Sequence, residues 1–330
     1  MRRSFKKMGR ELGIIIALLV MIAVFSMINP IYLSSGNLVD IVEQSTINGL
    51  MAIGMTFAII TSGIDLSVGS TMAIVIVGVG RFLVGGMNLW LAIFIGLLIG
   101  LVLGNVNGFF ITKLKLQPFI ATLGVMSIFR GIAYVITGGW PVLNIPQNFR
   151  NMMDGIVFSN IRTSILILIG FAIIGHVLLK YTRFGTYVYA MGGNEEATKL
   201  SGVNVDFNKT MAYAVCGIGA ALSGMVMLAR LGTGEPTAGQ GYEMNAIAAA
   251  AIGGTSLAGG KGSIIGTLLG TLLLSALKVG LVVVGVDTFW QYIATGAIII
   301  VAACFEVIQN KVNIASSMRG RKSEKLRING

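Results

Sequence analysis

Charged side chains are scarce in this chain, 11% of 330 residues, against 55% hydrophobic ones and a mean hydropathy of +0.85. With so little polar surface it cannot cover a water-soluble globule. Cysteine is limited to Cys216 and Cys304, both inside apolar runs, so no disulfide framework is indicated. The single histidine, His176, lies near the end of another run, and a metal cluster would need building without histidine or paired cysteines. Period-two alternation, the mark of membrane barrel strands, is also missing. Backbone groups in lipid must be satisfied within their own segment, so long continuous apolar runs decide for helices. The fold class is an all-α polytopic membrane protein.

What the chain does have is about ten apolar runs long enough to cross a bilayer. They are expected at 12–28, 41–61, 66–84, 89–111, 118–137, 163–179, 210–229, 244–258, 263–284 and 289–308. The eighth is short and alanine-rich, and reads either as a full crossing or as a re-entrant segment buried in protein. The first has the basic flank of a signal peptide, but Asn29-Pro30-Ile31-Tyr32 is a poor cleavage site and a retained span is expected.

Lysine and arginine accumulate in cytoplasmic loops. With the N-terminus inside, 18 of the 24 Lys and Arg fall on the cytoplasmic side. Arg81, Arg150, Arg162 and Arg230 fall outside, and Arg130 and Lys278 within spans. The net charge of +11 therefore reads as topology rather than a nucleic-acid face. Three parts result: a basic cytoplasmic segment at 1–11, a transmembrane domain at 12–308 with an inner loop at 180–209, and a basic cytoplasmic tail at 309–330.

The inner loop carries the sharpest local signal. Asn194 is placed to cap a short helix, Glu195 and Glu196 suit its positive end, and Gly202 can terminate it. With Gly192 and Gly193 before it, the element reads as a rigid knob for a cytoplasmic partner, or as a solvated connector. A faint internal echo links Gly63-Ile64-Asp65-Leu66-Ser67-Val68-Gly69-Ser70 with Gly253-Gly254-Thr255-Ser256-Leu257-Ala258-Gly259-Gly260, suggesting two related halves.

Glu196-Ala197 followed by Gly202 resembles the Glu-Ala-Ala-x-x-x-Gly loop of ABC importer permeases, with Thr198 in place of the second alanine. Taken with the two echoed segments, with Gln117-Pro118-Phe119-Ile120-Ala121-Thr122-Leu123-Gly124 and with Pro236-Thr237-Ala238-Gly239-Gln240-Gly241-Tyr242-Glu243, the chain is similar to the ribose and galactose permeases of bacterial sugar ABC importers. The resemblance covers roughly residues 10 to 308. It implies an inner-membrane permease that is not itself an enzyme and that pairs with a second copy, identical or related. It also implies a cytoplasmic ATPase holding ATP and magnesium, a sugar-binding protein, periplasmic or lipoprotein, and a sugar substrate. Lys261 is no phosphate-loop lysine, because Thr255 and Gly262 stand where that pattern needs glycine and Ser or Thr.

Polar residues inside spans complete the candidates. Arg130, near mid-depth, could pair with Asp65, face a water-filled path or snorkel outward. Asp65 and Ser67 are better read as caps of the third span. Asn48, Thr61, Asn105, Asn107, Ser127, Thr255 and Ser256 are candidates for the path or for interhelical hydrogen bonds, and Asn105 and Asn107 cannot face the same way on one helix. Glycines four apart at Gly96, Gly100 and Gly104 suit close helix packing. Asp154 and Glu235, with the outer arginines, are the charges available to a binding protein. An ion-coupled transporter is the alternative, but no acidic residue lies clearly at the centre of an expected span.

Overall fold

The computed structural model describes residues 2–158 and 161–287, together with most positions from 289 to 300. Its helices are α1 (Arg2–Ile28), α2 (Ser35–Ile60), α3 (Val68–Val84), α4 (Leu89–Thr112), α5 (Pro118–Thr137), α6 (Gln147–Asp154), α7 (Thr163–Tyr181), α8 (Arg183–Gly193), α9 (Glu195–Leu200), α10 (Val205–Leu231), α11 (Tyr242–Ile252) and α12 (Ile264–Val283). A small antiparallel hairpin of β1 (Ile156–Phe158) and β2 (Ile161–Arg162) lies between α6 and α7. The expected span at 289–308 lies partly, and the tail at 309–330 wholly, outside the described residues. The positions described between Phe289 and Ile300 are helical.

Among the described residues six helices, within α1, α4, α5, α7, α10 and α12, are long and apolar enough to cross a membrane. The two most deeply packed elements near them look different. α2 is long enough but carries Asp40, Glu43 and Gln44 in its first half and Asn48 at its middle, and α3 is a shorter apolar helix. Both are wrapped in protein: nearly every residue from Ser45 to Ile60 and from Val68 to Val77 is buried. The segment expected at 244–258 is helical only over α11. Eleven residues rise about 16 Å, roughly half a bilayer, so this helix does not cross alone. Its Asn245–Ala250 stretch is buried in protein, as membrane-depth backbone leading into irregular structure must be. The basic 2–11 segment is continuous with α1 rather than separate from it.

α10 forms the centre, packed against α4, α2 and α3, while α2 also meets α11 and α12. The α10–α4 seam is set by glycine. A Cβ at Gly104 would overlap the Tyr213 carbonyl, at Gly100 the Gly217 carbonyl, and at Gly108 the Thr210 backbone and side chain. Helix axes can approach this closely only where side chains are absent. Peripheral helices keep apolar side chains outward, among them Trp90, Phe94 and Leu98 of α4 and Ile169 and Ile173 of α7, as lipid contact requires.

Candidate functional site

At one end of the bundle α8 and α9 form an elbow. Asn194 serves both helices: its backbone N–H donates to the Ala190 carbonyl at 2.9 Å, closing α8, and its side-chain oxygen accepts from Ala197 N at 2.9 Å, opening α9. Glu195 and Glu196 occupy the first turn, where the helix dipole favours them, and Lys209 donates to Glu195 at 2.7 Å. Gly202, at φ 82°, takes the left-handed conformation just past the helix. Residues 193–197 are exposed, and Leu200 at the tip is 90% exposed. α8 was hidden from sequence reading by its mixed composition, and it is the arm that carries this tip.

The base of the elbow is fastened to two interruptions of the helical bundle. One is the turn at 61–67 between α2 and α3; the other is the loop at 253–263 between α11 and α12. Gly260 N donates to the Ile60 carbonyl at 2.8 Å, and the Ser62 hydroxyl donates to the carbonyls of Ala258 (3.0 Å) and Gly192 (3.5 Å). Tyr189 of α8 donates to the Gly262 carbonyl at 2.8 Å. Burial pushes the Tyr189 phenol above its usual pKa, which keeps that donor proton in place. Gly192 has no room for a side chain, since a Cβ there would overlap the Ile60 carbonyl and the Gly260 amide. Thr255 and Ser256 belong to this junction. Both are buried, and Ser256 N donates to the Lys261 carbonyl at 2.9 Å.

Asp65, Ser67 and Asn107 come together deeper in the protein. Asp65 Oδ1 accepts from Ser67 N (2.9 Å) and Ser67 Oγ (2.7 Å), so the carboxylate organises the chain entering α3. Asn107 Nδ2 of α4 faces both Asp65 oxygens at 3.2 Å and Ser67 Oγ at 2.7 Å. All three are buried, with Asp65 in the turn before α3 rather than at the centre of a span. Ser67 makes no side-chain cap of its own. The pairing of Arg130 with Asp65 does not form. Arg130 instead donates through Nη1 to the carbonyls of Pro236 and Ala238, both at 2.7 Å, in the irregular segment leading to α11. Asn48, Asn105, Thr61 and Ser127 each donate to a backbone carbonyl three or four residues earlier. Asn107 is buried and Asn105 half-buried, so the two do face differently.

At the opposite end, the charges read as free for a partner are largely engaged within the protein. Arg230 grips Asp154 through Nε (3.1 Å) and Nη2 (3.2 Å), and its Nη1 donates to the Glu43 carbonyl at 3.0 Å. Arg162 pairs with the Glu43 carboxylate and reaches Asp154 at 3.4 Å, and Ser164 donates to Asp154 at 2.5 Å. Arg150 donates to the Ala229 carbonyl at 3.1 Å. Arg150, Asp154, Arg162 and Arg230 line a polar cavity of about 290 Å³. Arg81 stays exposed and Glu235 half-buried.

Residues 37–303 match the family model described as branched-chain amino acid transport system / permease component. The ribose import permease protein of Bacillus subtilis (strain 168) is 42% identical over 306 residues, 92% of this chain and 95% of the relative. The ribose import permease protein of Escherichia coli (strain K12) is 42% identical over 318 residues, covering 94% and 97%. The galactose/methyl galactoside import permease protein of Escherichia coli (strain K12) is 36% identical over 329 residues, covering 93% and 97%. No solved structure matches. The apolar helices, the capped elbow and near full-length similarity agree: this chain is a multi-pass membrane protein belonging to the family of transport-system permease components.

Proposed function

We propose that the chain is the membrane-spanning subunit of an ATP-driven importer for a monosaccharide of the ribose or galactose type. It resides in the bacterial inner membrane and receives its substrate from a sugar-binding protein. The family description names amino acids, but the relatives that match over nearly their whole length at 36–42% identity are named for ribose, galactose and allose, which favours a sugar. A second permease copy, identical or related, completes the path, and ATP with magnesium sits on a separate ATPase.

The α8–α9 elbow is the part that meets the ATPase, and one observation carries this reading. Its exposed, doubly capped tip is joined at its base to both interruptions of the bundle through Ser62, Gly192, Gly260 and Tyr189. A push on the tip therefore reaches α2, α3, α11 and α12 together. The distribution of Lys and Arg supports a cytosolic elbow and cytosolic termini with ten crossings, and the paired loops at 61–67 and 253–263 suit two related halves.

Glu196→Lys places a like charge at the positive end of α9 and reverses the sign of the tip. The variant is expected to stay in the membrane but to lose co-purification with the ATPase and ATP-dependent sugar uptake. Normal co-purification and uptake would remove the elbow from the coupling role. Uptake that survives ATP depletion yet collapses with the ion gradient would replace the importer with an ion-coupled transporter.

A further inference from the structure

α5 carries a stripe unlike the rest of its surface. Ser127, Arg130 and Tyr134 recur at helical spacing and share one face. Ser127 is exposed, and Arg130 and Tyr134 are half-exposed. Gly124 and Gly131 beside them have open space where a side chain would stand. Arg130 reaches from this stripe onto the irregular segment 232–241, whose Thr237 and Gln240 are exposed while Pro236, Ala238 and Gly239 are buried.

The contacts made by Arg130 and Gly239 stand well below the ends of α5 and α3. Arg130 stands seven residues, about 10 Å, before the end of α5 at Thr137. Gly239 packs against Gly69, which stands fifteen residues, about 22 Å, before the end of α3 at Val84. Irregular backbone at such depth exists only where protein buries it or water reaches it. Exposed hydroxyl and amide side chains of the segment, Thr237 and Gln240, are likewise costly against lipid tails. The same depth of α4 presents Leu98 and Phe94 outward, which is what a lipid-facing surface looks like.

We propose that Ser127, Tyr134, Thr237 and Gln240 line a water-filled constriction of the substrate path, with Arg130 holding the 232–241 segment in place beside it. Hydroxyls, a phenol and a carboxamide, with the Arg130 charge offset by the nearby Glu243 carboxyl, suit a neutral, hydroxyl-rich solute, which exchanges water for donors and acceptors of the same kind. The site rests on the importer reading above and gives it a location.

Thr237→Cys and Gln240→Cys, made singly in the complete transporter in proteoliposomes, would be treated with a charged, membrane-impermeant thiol reagent, with Leu98→Cys as the lipid-facing control. The parent chain sets the background. Both path variants are expected to react at least about tenfold faster than Leu98→Cys, because a charged reagent does not enter lipid. Saturating D-ribose, D-galactose or D-allose is expected to slow that reaction severalfold for at least one sugar. Reaction no faster than the control, or reaction indifferent to all three sugars in a preparation that still transports one of them, would overturn the site. Oxidation that joins two copies directly through Thr237→Cys or Gln240→Cys, with no sugar protection, would assign the face to a permanent seam between permeases and equally overturn it. Failure of the parent preparation to couple sugar uptake to ATP would instead count against the importer reading.

Discussion

The two ends of this molecule are held by different physics. At the Asp154 end, the buried Asp154 carboxylate of α6 and the partly buried Glu43 of α2, Arg162 of β2 and Arg230 of α10 lock each other by charge-assisted hydrogen bonds. At the elbow end, the fastening is backbone against backbone, with Gly192 and Gly260 pressed on the Ile60 carbonyl and only single hydroxyls from Ser62 and Tyr189 reaching across. Ion pairs occur there too, but Lys113 and Lys115 reach Asp206 from exposed positions, and the more enclosed Lys209 meets an exposed Glu195. A charge lock is costly to open, because each partner is left desolvated and alone. Neutral contacts on carbonyls exchange with water or with one another at small cost. The end built to stay together is therefore the Asp154 end, and the end able to rearrange within a transport cycle is the elbow end.

That contrast can be broken from either side. Gly192→Ala should have the largest effect, since the added carbon overlaps two backbone groups and must displace the elbow from both loops. Sugar uptake in proteoliposomes is expected to fall at least about tenfold while ATP hydrolysis by the bound ATPase persists. Retained uptake would mean the junction is loose. Asp154→Ala comes next: it leaves Arg230 in a partly buried position with no carboxylate and Arg162 with Glu43 alone, and stability should fall by about 2–3 kcal/mol, read as faster thermal inactivation in detergent. Arg230 and Arg162 keep some solvent, so the lower part of that range is expected. Smallest is Lys113→Ala or Lys115→Ala, where solvent-exposed pairs with Asp206 should change stability by less than about 0.5 kcal/mol, with no further change at high salt. A loss near that of Asp154→Ala would erase the distinction between the ends.

Much of the helical layout is legible in the sequence because lipid imposes length and apolarity on each segment. The runs expected at 118–137 and 163–179 differ from α5 and α7 by two residues at most. The tip helix is legible for a different reason: Asn194, two glutamates and Gly202 each answer a specific need of a helix end. α8 escapes notice because Arg183–Gly193 mixes glycine, aromatic and polar residues without a clean period. The Asp154 lock escapes because its partners are far apart in sequence, 76 residues for Arg230 and 119 for the Arg162–Glu43 pair. Arg130 shows the deepest limit. Its partners are carbonyl oxygens, which every residue possesses, so no side chain in the sequence could have announced them.

The glycine-lined contact of α4 with α10 has a mechanical corollary. Two rods whose backbones already touch at Gly100, Gly104 and Gly108 have nothing soft between them to compress, and sliding would drive side chains such as Ala221 and Thr210 into the opposite spine. The pair is therefore a stator, carrying Asn107 and the Tyr213 side chain as fixed fittings, and whatever swings during import swings around it.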